Sequence, residues 1–204
     1  MNIEKMLNGK IYDASDATLA AMRIKAHRFC KDYNDTYEDE EERRAAILEE
    51  LLPNRGEGTY LQGPIQFDYG VFTSFGMNCY ANFNLTVLDC CPVTVGNDVF
   101  FGPNCSLVTP IHPMLAEERK IRFKEDGTAY DLEYAEPIVI GNGCWIAANV
   151  TVCGGVHIGK NCVIGAGSVV TRDIPEGVFA AGNPCKVIRK ITEKESIYLK
   201  KELF

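Results

Sequence analysis

The sequence predicts a mainly β fold of short strands and tight turns that repeat every six residues, preceded by a helical segment. Three observations carry that reading. Between Ile140 and Pro175 an aliphatic residue stands at every sixth position: Ile140, Ile146, Val152, Ile158, Ile164 and Val170. Glycines 141, 143, 154, 155, 159, 165 and 167 crowd the same stretch, and glycine or asparagine supplies the positive φ of tight turns. On a helix six residues turn about 600°, so successive members of the series would lie about 240° apart and never form a stripe. Before residue 57, by contrast, the apolar spacing is helical.

Residues 1–57 form the predicted helical segment. In "SDATLAAMRIKAHRFCKDYN" either Ser15 or Asp16 suits an N-cap, and Leu19, Met22, Ala26, Phe29 and Tyr33 then share one face. A second helix fits "EDEEERRAAILEELL", whose early acidic residues complement the dipole and whose Ile47, Leu48, Leu51 and Leu52 line an apolar side. Pro53 and the glycines of "PNRGEG" end it.

Residues 58–185 carry the repeat. The first place of each hexad is read as pointing inward, and the fifth agrees, being Cys144, Val150, Val156, Cys162 or Ser168. Traced backwards, the phase takes in Tyr69, Phe75, Ala81, Val87, Val95, Phe101 and Leu107, with Thr73, Cys79, Leu85, Val99 and Cys105 at fifth places. The cysteines on this register are predicted to be core filler, since free Cys packs as a small hydrophobe. Two interruptions stand out: an extra pair of residues around "LDCCP", and the excursion 111–137. A long loop ejected from a regular repeat is generally functional. Residues 186–204 read as a basic helical tail, a short C-terminal helix containing "KVIRKITEK".

The net charge of −7 argues against general nucleic-acid binding, which needs clustered cations. The start of the chain lacks the pattern of a secretory signal, and no apolar run approaches the roughly 18 residues of a membrane span, so a cytoplasmic location without membrane association is expected. Nine cysteines, an odd number without a CxxC pair, are expected to be reduced thiols.

"NGKIYDASD", "KDYN", "FDYG", "CYANFNLTVLDCCPVTVGNDV", "TPIHP", the hexads and "AAGNPCKVIRKI" together resemble the hexapeptide-repeat acyltransferases, and within them the maltose and galactoside O-acetyltransferases, across essentially the whole chain. The resemblance implies a left-handed parallel β-helix of triangular cross-section, three hexads to a coil. It also implies acetyl-CoA as co-substrate, a sugar acceptor, and a homotrimer with active sites between subunits. No metal is expected. A γ-type carbonic anhydrase needs three metal-binding histidines, and the chain has only three in total, His27 in the first helix, His157 at the outward end of a hexad, and His112.

His112 stands at the root of the excursion. An imidazole with an ordinary pKa near about 6.5 is largely neutral at pH 7 and can take a proton from an attacking hydroxyl. The resemblance implies that it is the general base. By resemblance Asn82 in "YANFN" lies close to the thioester; the residue type alone also fits a turn. Carrier contacts are implied at Asn82, Ala148, Ala166, Thr171, Arg172, Lys186 and Arg189. The cations suit anionic phosphates, although the same run also suits a solvated terminal helix. Trp145 either packs beside pantetheine or walls the cleft.

Asp13 and Asp68 match positions that bind acceptor hydroxyls, with helix-entry capping the other reading of Asp13. Asp68 stands where the galactoside type has Ser, and Cys90 where it has a second Asp beside Asp89; both departures lean towards the maltose type. Loop 111–137 is longer than in either. A covalent route through Cys90 or Cys91, an acceptor of the xenobiotic or amino-acid hydroxyl class, and a non-catalytic sugar-binding β-helix are the competing readings.

Overall fold

The computed structural model of the chain describes residues 1–203. The repeat winds into a parallel β-helix with three faces. The first face stacks Tyr60–Leu61, Tyr80–Ala81, Phe100–Phe101, Trp145–Ile146, Val163–Ile164 and Val178–Ala181. The second stacks Ile65–Phe67, Leu85–Leu88, Ser106–Val108, Thr151–Cys153 and Val169–Val170. The third stacks Thr73–Phe75, Val93–Val95, Ile138–Ile140 and His157–Ile158. Each coil visits the faces in that order, so residues related by one coil pair in parallel register, as Ile146 does with Phe101 and Ile164.

All six aliphatic leaders from Ile140 to Val170 are buried, as are the five fifth-place residues. The core cysteines do more than fill space: Cys79, Cys105, Cys144 and Cys162 donate their thiols to the carbonyls of Gly96, Ala147, Gly159 and Pro175 at 3.0–3.1 Å. Burial pushes the Cys144 thiol up to about 11, which keeps it protonated in this role. Turn asparagines also stack. Asn84, Asn104 and Asn149 adopt φ of 62°, 60° and 59°, and their amides bond coil to coil at 2.8 and 3.1 Å.

Three helices lead in: α1 (Asn2–Leu7), α2 (Ala17–Asn34) and α3 (Glu41–Leu51). Asp16 is the N-cap of α2, accepting from Thr18 N and Leu19 N at 3.0 and 3.3 Å. The first coil has no preceding coil to pair with, and an open strand edge must be covered. α2 covers it with side chains. Asn34 accepts from Ile65 N at 2.7 Å and donates to Ile65 O at 2.9 Å, while Tyr33 Oη donates to Leu61 O at 2.5 Å. Arg44 of α3, buried, donates to Tyr33 Oη and to the Leu61 and Gln62 carbonyls.

Two sequence expectations are corrected. Lys186–Lys190 is not helical but a strand, antiparallel to Val178–Ala181, followed by 3₁₀ turns at Glu193–Glu195, Ile197–Leu199 and Lys201–Leu203. The last coil leaves its edge unpaired, and a strand bearing exposed Lys and Arg closes it, so pairing outweighs local helical preference. Tyr69 is buried but outside the prism. It joins Met6, Tyr12, Leu19, Cys90, Cys91 and Ala135 in a second apolar cluster under α1 and α2. The extra residues of "LDCCP" serve that cluster.

Candidate active site

The excursion is a ribbon, not an open loop. Pro110–Ile111 pairs antiparallel with Tyr134–Ala135, and Arg122–Phe123 with Ala129–Tyr130 at the tip. Continuing the root ladder by one residue sets His112 opposite Glu133. Tyr12 bridges Glu133 from the other side, its N–H donating to Glu133 O at 3.1 Å and its hydroxyl to Glu133 Oε1. Because alternate residues of an extended chain share a face, Asp131 and Glu133 both reach the imidazole. Asp131 Oδ2 lies 3.3 Å from His112 Nδ1, and Glu133 Oε2 lies 3.7 Å from Nε2. Burial raises the Glu133 carboxyl above its ordinary value. The His112 side chain is 47% exposed.

Asp13 follows Tyr12 in the chain and is tied to the same ribbon. Its Oδ1 accepts from Ser15 N at 2.9 Å and Ser15 Oγ at 2.6 Å, and its Oδ2 pairs with Lys124 from the ribbon tip. Burial alone would raise this carboxyl, but the bonds from Lys124 and Ser15 outweigh it and hold it low. Asp68 follows the first strand of the second face, accepting from Cys90 Sγ at 3.6 Å and facing His27 Nε2 at 3.6 Å. His27 is exposed, and so is His157. Asp89 is fully buried, accepting from Tyr69 N and Thr73 Oγ1 at 2.8 and 3.0 Å.

The remaining candidates divide between two edges of the second face. Asn82, Ala148 and Ala166 follow strands of the first face, at its edge with the second. Asn82 Oδ1 accepts from Phe83 N at 2.8 Å, and its Nδ2 donates to no group among the described residues. Trp145 lies outward on the first face, beside Phe100 in the adjacent coil. Gly102 makes that edge tight: a Cβ there would meet Ala148 N at 2.5 Å. Lys186 and Arg189 lie on the closing strand, Arg189 paired with Glu195 and set over Phe179 at 5.4 Å. Thr171 and Arg172 instead follow the last strand of the second face, at its edge with the third, where the ribbon of His112 also leaves the coil. The width of the second face, about six extended residues, separates the Asn82 and His112 edges by on the order of 20 Å.

Asp131, Glu133, Tyr12 and Lys124 were not singled out by the sequence. Alternation in "YDLEY" is the signal that bears on the two acids. His112, Asp131 and Glu133 also offer a nitrogen and two oxygens within 4.8 Å of one another, a grouping able to hold a metal ion. A hollow of about 470 Å³, lined by Tyr33, Arg44, Arg55 and Tyr60, lies apart from all of these under α3. No described helix is long and apolar enough to cross a membrane.

Residues 5–56 match the maltose acetyltransferase hexapeptide capping motif, and residues 137–172 match the six-repeat bacterial transferase hexapeptide. The galactoside O-acetyltransferase of Escherichia coli (strain K12) is 38% identical over 98% of this chain and 94% of its own. A maltose O-acetyltransferase from Clostridium difficile 630 superposes with a TM-score of 0.87 at 40% identity, covering 95% of this chain and 98% of that one. A galactoside acetyltransferase in complex with coenzyme A also gives 0.87, at 37% identity over 96% and 93% of the two chains. Similarity of this extent, spread over both the helical segment and the coils, shows that the chain belongs to the hexapeptide-repeat acetyltransferases of the maltose and galactoside O-acetyltransferase family.

Proposed function

We propose that the chain transfers an acetyl group from acetyl-CoA to a hydroxyl of a sugar, with His112 as general base. The observation that carries the reading is the exposed imidazole at the root of the ribbon, backed by Asp131 at Nδ1 and Glu133 beyond Nε2. A proton held on Nδ1 towards Asp131 leaves Nε2 as the lone-pair face. The acceptor hydroxyl gives its proton to Nε2 as its oxygen attacks the thioester carbon. The tetrahedral intermediate then collapses, the C–S bond breaks, and the imidazolium returns the proton to the departing sulfur. Asn82, with its amide donor unspent, is suited to orient the thioester or bond the developing oxyanion.

The carrier would run along the first-face edge past Trp145, Ala148 and Ala166, with Lys186 and Arg189 towards its phosphates. Thr171 and Arg172 complete its contacts from the other edge. Asp13 and Asp68 belong to the acceptor side. The separation of Asn82 from His112 within one chain supports a homotrimer in which neighbouring subunits supply the two edges. A cytoplasmic location accords with nine free cysteines, seven of them buried.

The test is release of free thiol from acetyl-CoA by the wild type and His112→Ala, with maltose, glucose, galactosides, serine and chloramphenicol as acceptors. Sugar-dependent release is expected, falling about 10²–10⁴-fold in the variant, with acetyl-CoA binding retained. Wild-type turnover kept in a folded His112→Ala protein would overturn the assignment. Chelation with EDTA is expected to leave turnover intact; loss restored by a divalent metal would make His112 a ligand instead.

A further inference from the structure

Lys124 is placed where the acceptor side needs an explanation. It opens the turn at the ribbon tip, its N–H donating to Thr128 O and its carbonyl accepting from Gly127 N, both at 3.0 Å. From there its ammonium reaches back to Asp13 Oδ2, donates to Ser15 Oγ at 3.1 Å, and lies 5.9 Å from the Tyr130 ring centroid. Neither member of the pair is sealed away, the Lys124 and Asp13 side chains being 37% and 21% exposed.

The hydrogen-bond capacities of the pair then matter. An ionised carboxylate has about four lone-pair sites and an ammonium has three donors. Asp13 already accepts from Ser15 N, Ser15 Oγ and Lys124, and Lys124 already donates to Asp13 and Ser15. What remains is one acceptor on Asp13 and one donor on Lys124, side by side. A lone alcohol uses only one of them. Two adjacent hydroxyls use both, one donating to the carboxylate while its neighbour accepts from the ammonium.

We infer that Lys124 is a specificity-determining residue which, with Asp13, reads a vicinal diol next to the hydroxyl being acetylated. The inference rests on the acetyl-transfer reading and names the chemical class of its acceptor: neutral polyhydroxyl compounds over isolated alcohols. Asp131 and Glu133, beside His112, add negative charge there, which further disfavours carboxylate-bearing acceptors.

The experiment is acceptor-dependent thiol release with a methyl glycoside and its monodeoxy analogues, using wild type, Lys124→Met and Lys124→Arg, with acetyl-CoA affinity from calorimetry as the folding control. In the wild type at least one deoxy analogue should raise the acceptor KM about tenfold. In Lys124→Met the parent glycoside should lose about that factor in KM while kcat falls no more than about twofold, and the penalty for that deoxy analogue should disappear. Lys124→Arg should recover part of the KM. An unchanged or lowered acceptor KM in Lys124→Met overturns the inference, as does a deoxy penalty equal in both proteins, which would make Lys124 a mere latch for the ribbon. Absence of sugar-dependent release by the wild type would instead overturn the acetyl-transfer reading, and the inference with it.

Discussion

At the scale of single residues, the thiols and the imidazole point to one chemical route. Cys90 donates to Asp68 and Cys91 follows it in the chain, but burial pushes Cys91 up to about 11 and Cys90 further still, with Asp68 and Asp89 adding to the shift at Cys90. A thiol held that far from ionisation is a poor nucleophile. Cys90→Ser should therefore keep kcat within about threefold, and mass spectrometry of enzyme quenched during turnover should find no acetyl-cysteine; an acetylated Cys90 would restore the covalent route. Glu133 carries a second expectation. Its folded carboxyl is raised by burial, so the folded state binds the proton more tightly than the unfolded chain, and stability falls as pH rises from the unfolded value through the folded one. Gln at this position keeps an oxygen for the Tyr12 hydroxyl and removes the titration. The Tm of Glu133→Gln relative to wild type should climb across that window, starting near about pH 4, and a difference flat with pH would deny the effect.

Elements explain which parts of the molecule could be read in advance. Ile140 through Val170 were legible because an inward position is fixed by period alone, and every coil repeats the same test. Tyr69 shared the phase by coincidence: its neighbours Ile65 and Phe67 enter the prism, while the chain then bends towards α2. The closing strand was illegible because its partner, Val178–Ala181, settles its conformation, and an unpaired edge is a property of the assembled coil rather than of "KVIRK". The ribbon that carries His112 is the same case. His112 could be found as a histidine at a break in the repeat, whereas Asp131 and Glu133 come to it through pairing across some twenty residues. The corners, by contrast, make a local prediction. A methyl group on Gly102 would meet Ala148 N at 2.5 Å and Ala147 C at 2.9 Å, both backbone atoms with little room to give. Gly102→Ala should cost about 2 kcal/mol, read as a lower urea midpoint, and should raise the KM for acetyl-CoA by moving the wall at Ala148. A variant as stable as wild type would show that the coils slide apart freely at this corner.

For the whole molecule, the decisive feature is that a β-helix has corners it cannot bring together. Asn82 lies at one edge of the second face and His112 leaves from the other, with a stack of hydrogen-bonded strands between them. Bending that face would break coil-to-coil bonds such as Ser106 N to Val150 O and Thr86 N to Cys105 O, at 2.9 and 3.0 Å. If both residues serve one thioester, they come from different subunits, and a ring in which each second face turns inward lets every first-face edge meet a neighbour's ribbon. This arrangement can be tested without a structure of the assembly. Asn82→Ala and His112→Ala, each nearly inactive alone, should regain activity when co-expressed or mixed after reversible dissociation. In a random three-subunit ring, a site is intact only where a subunit with Asn82 precedes one with His112, so about a quarter of the wild-type activity should return. If Asn82 and His112 acted within one chain, every subunit in the mixture would lack one of them and nothing would return.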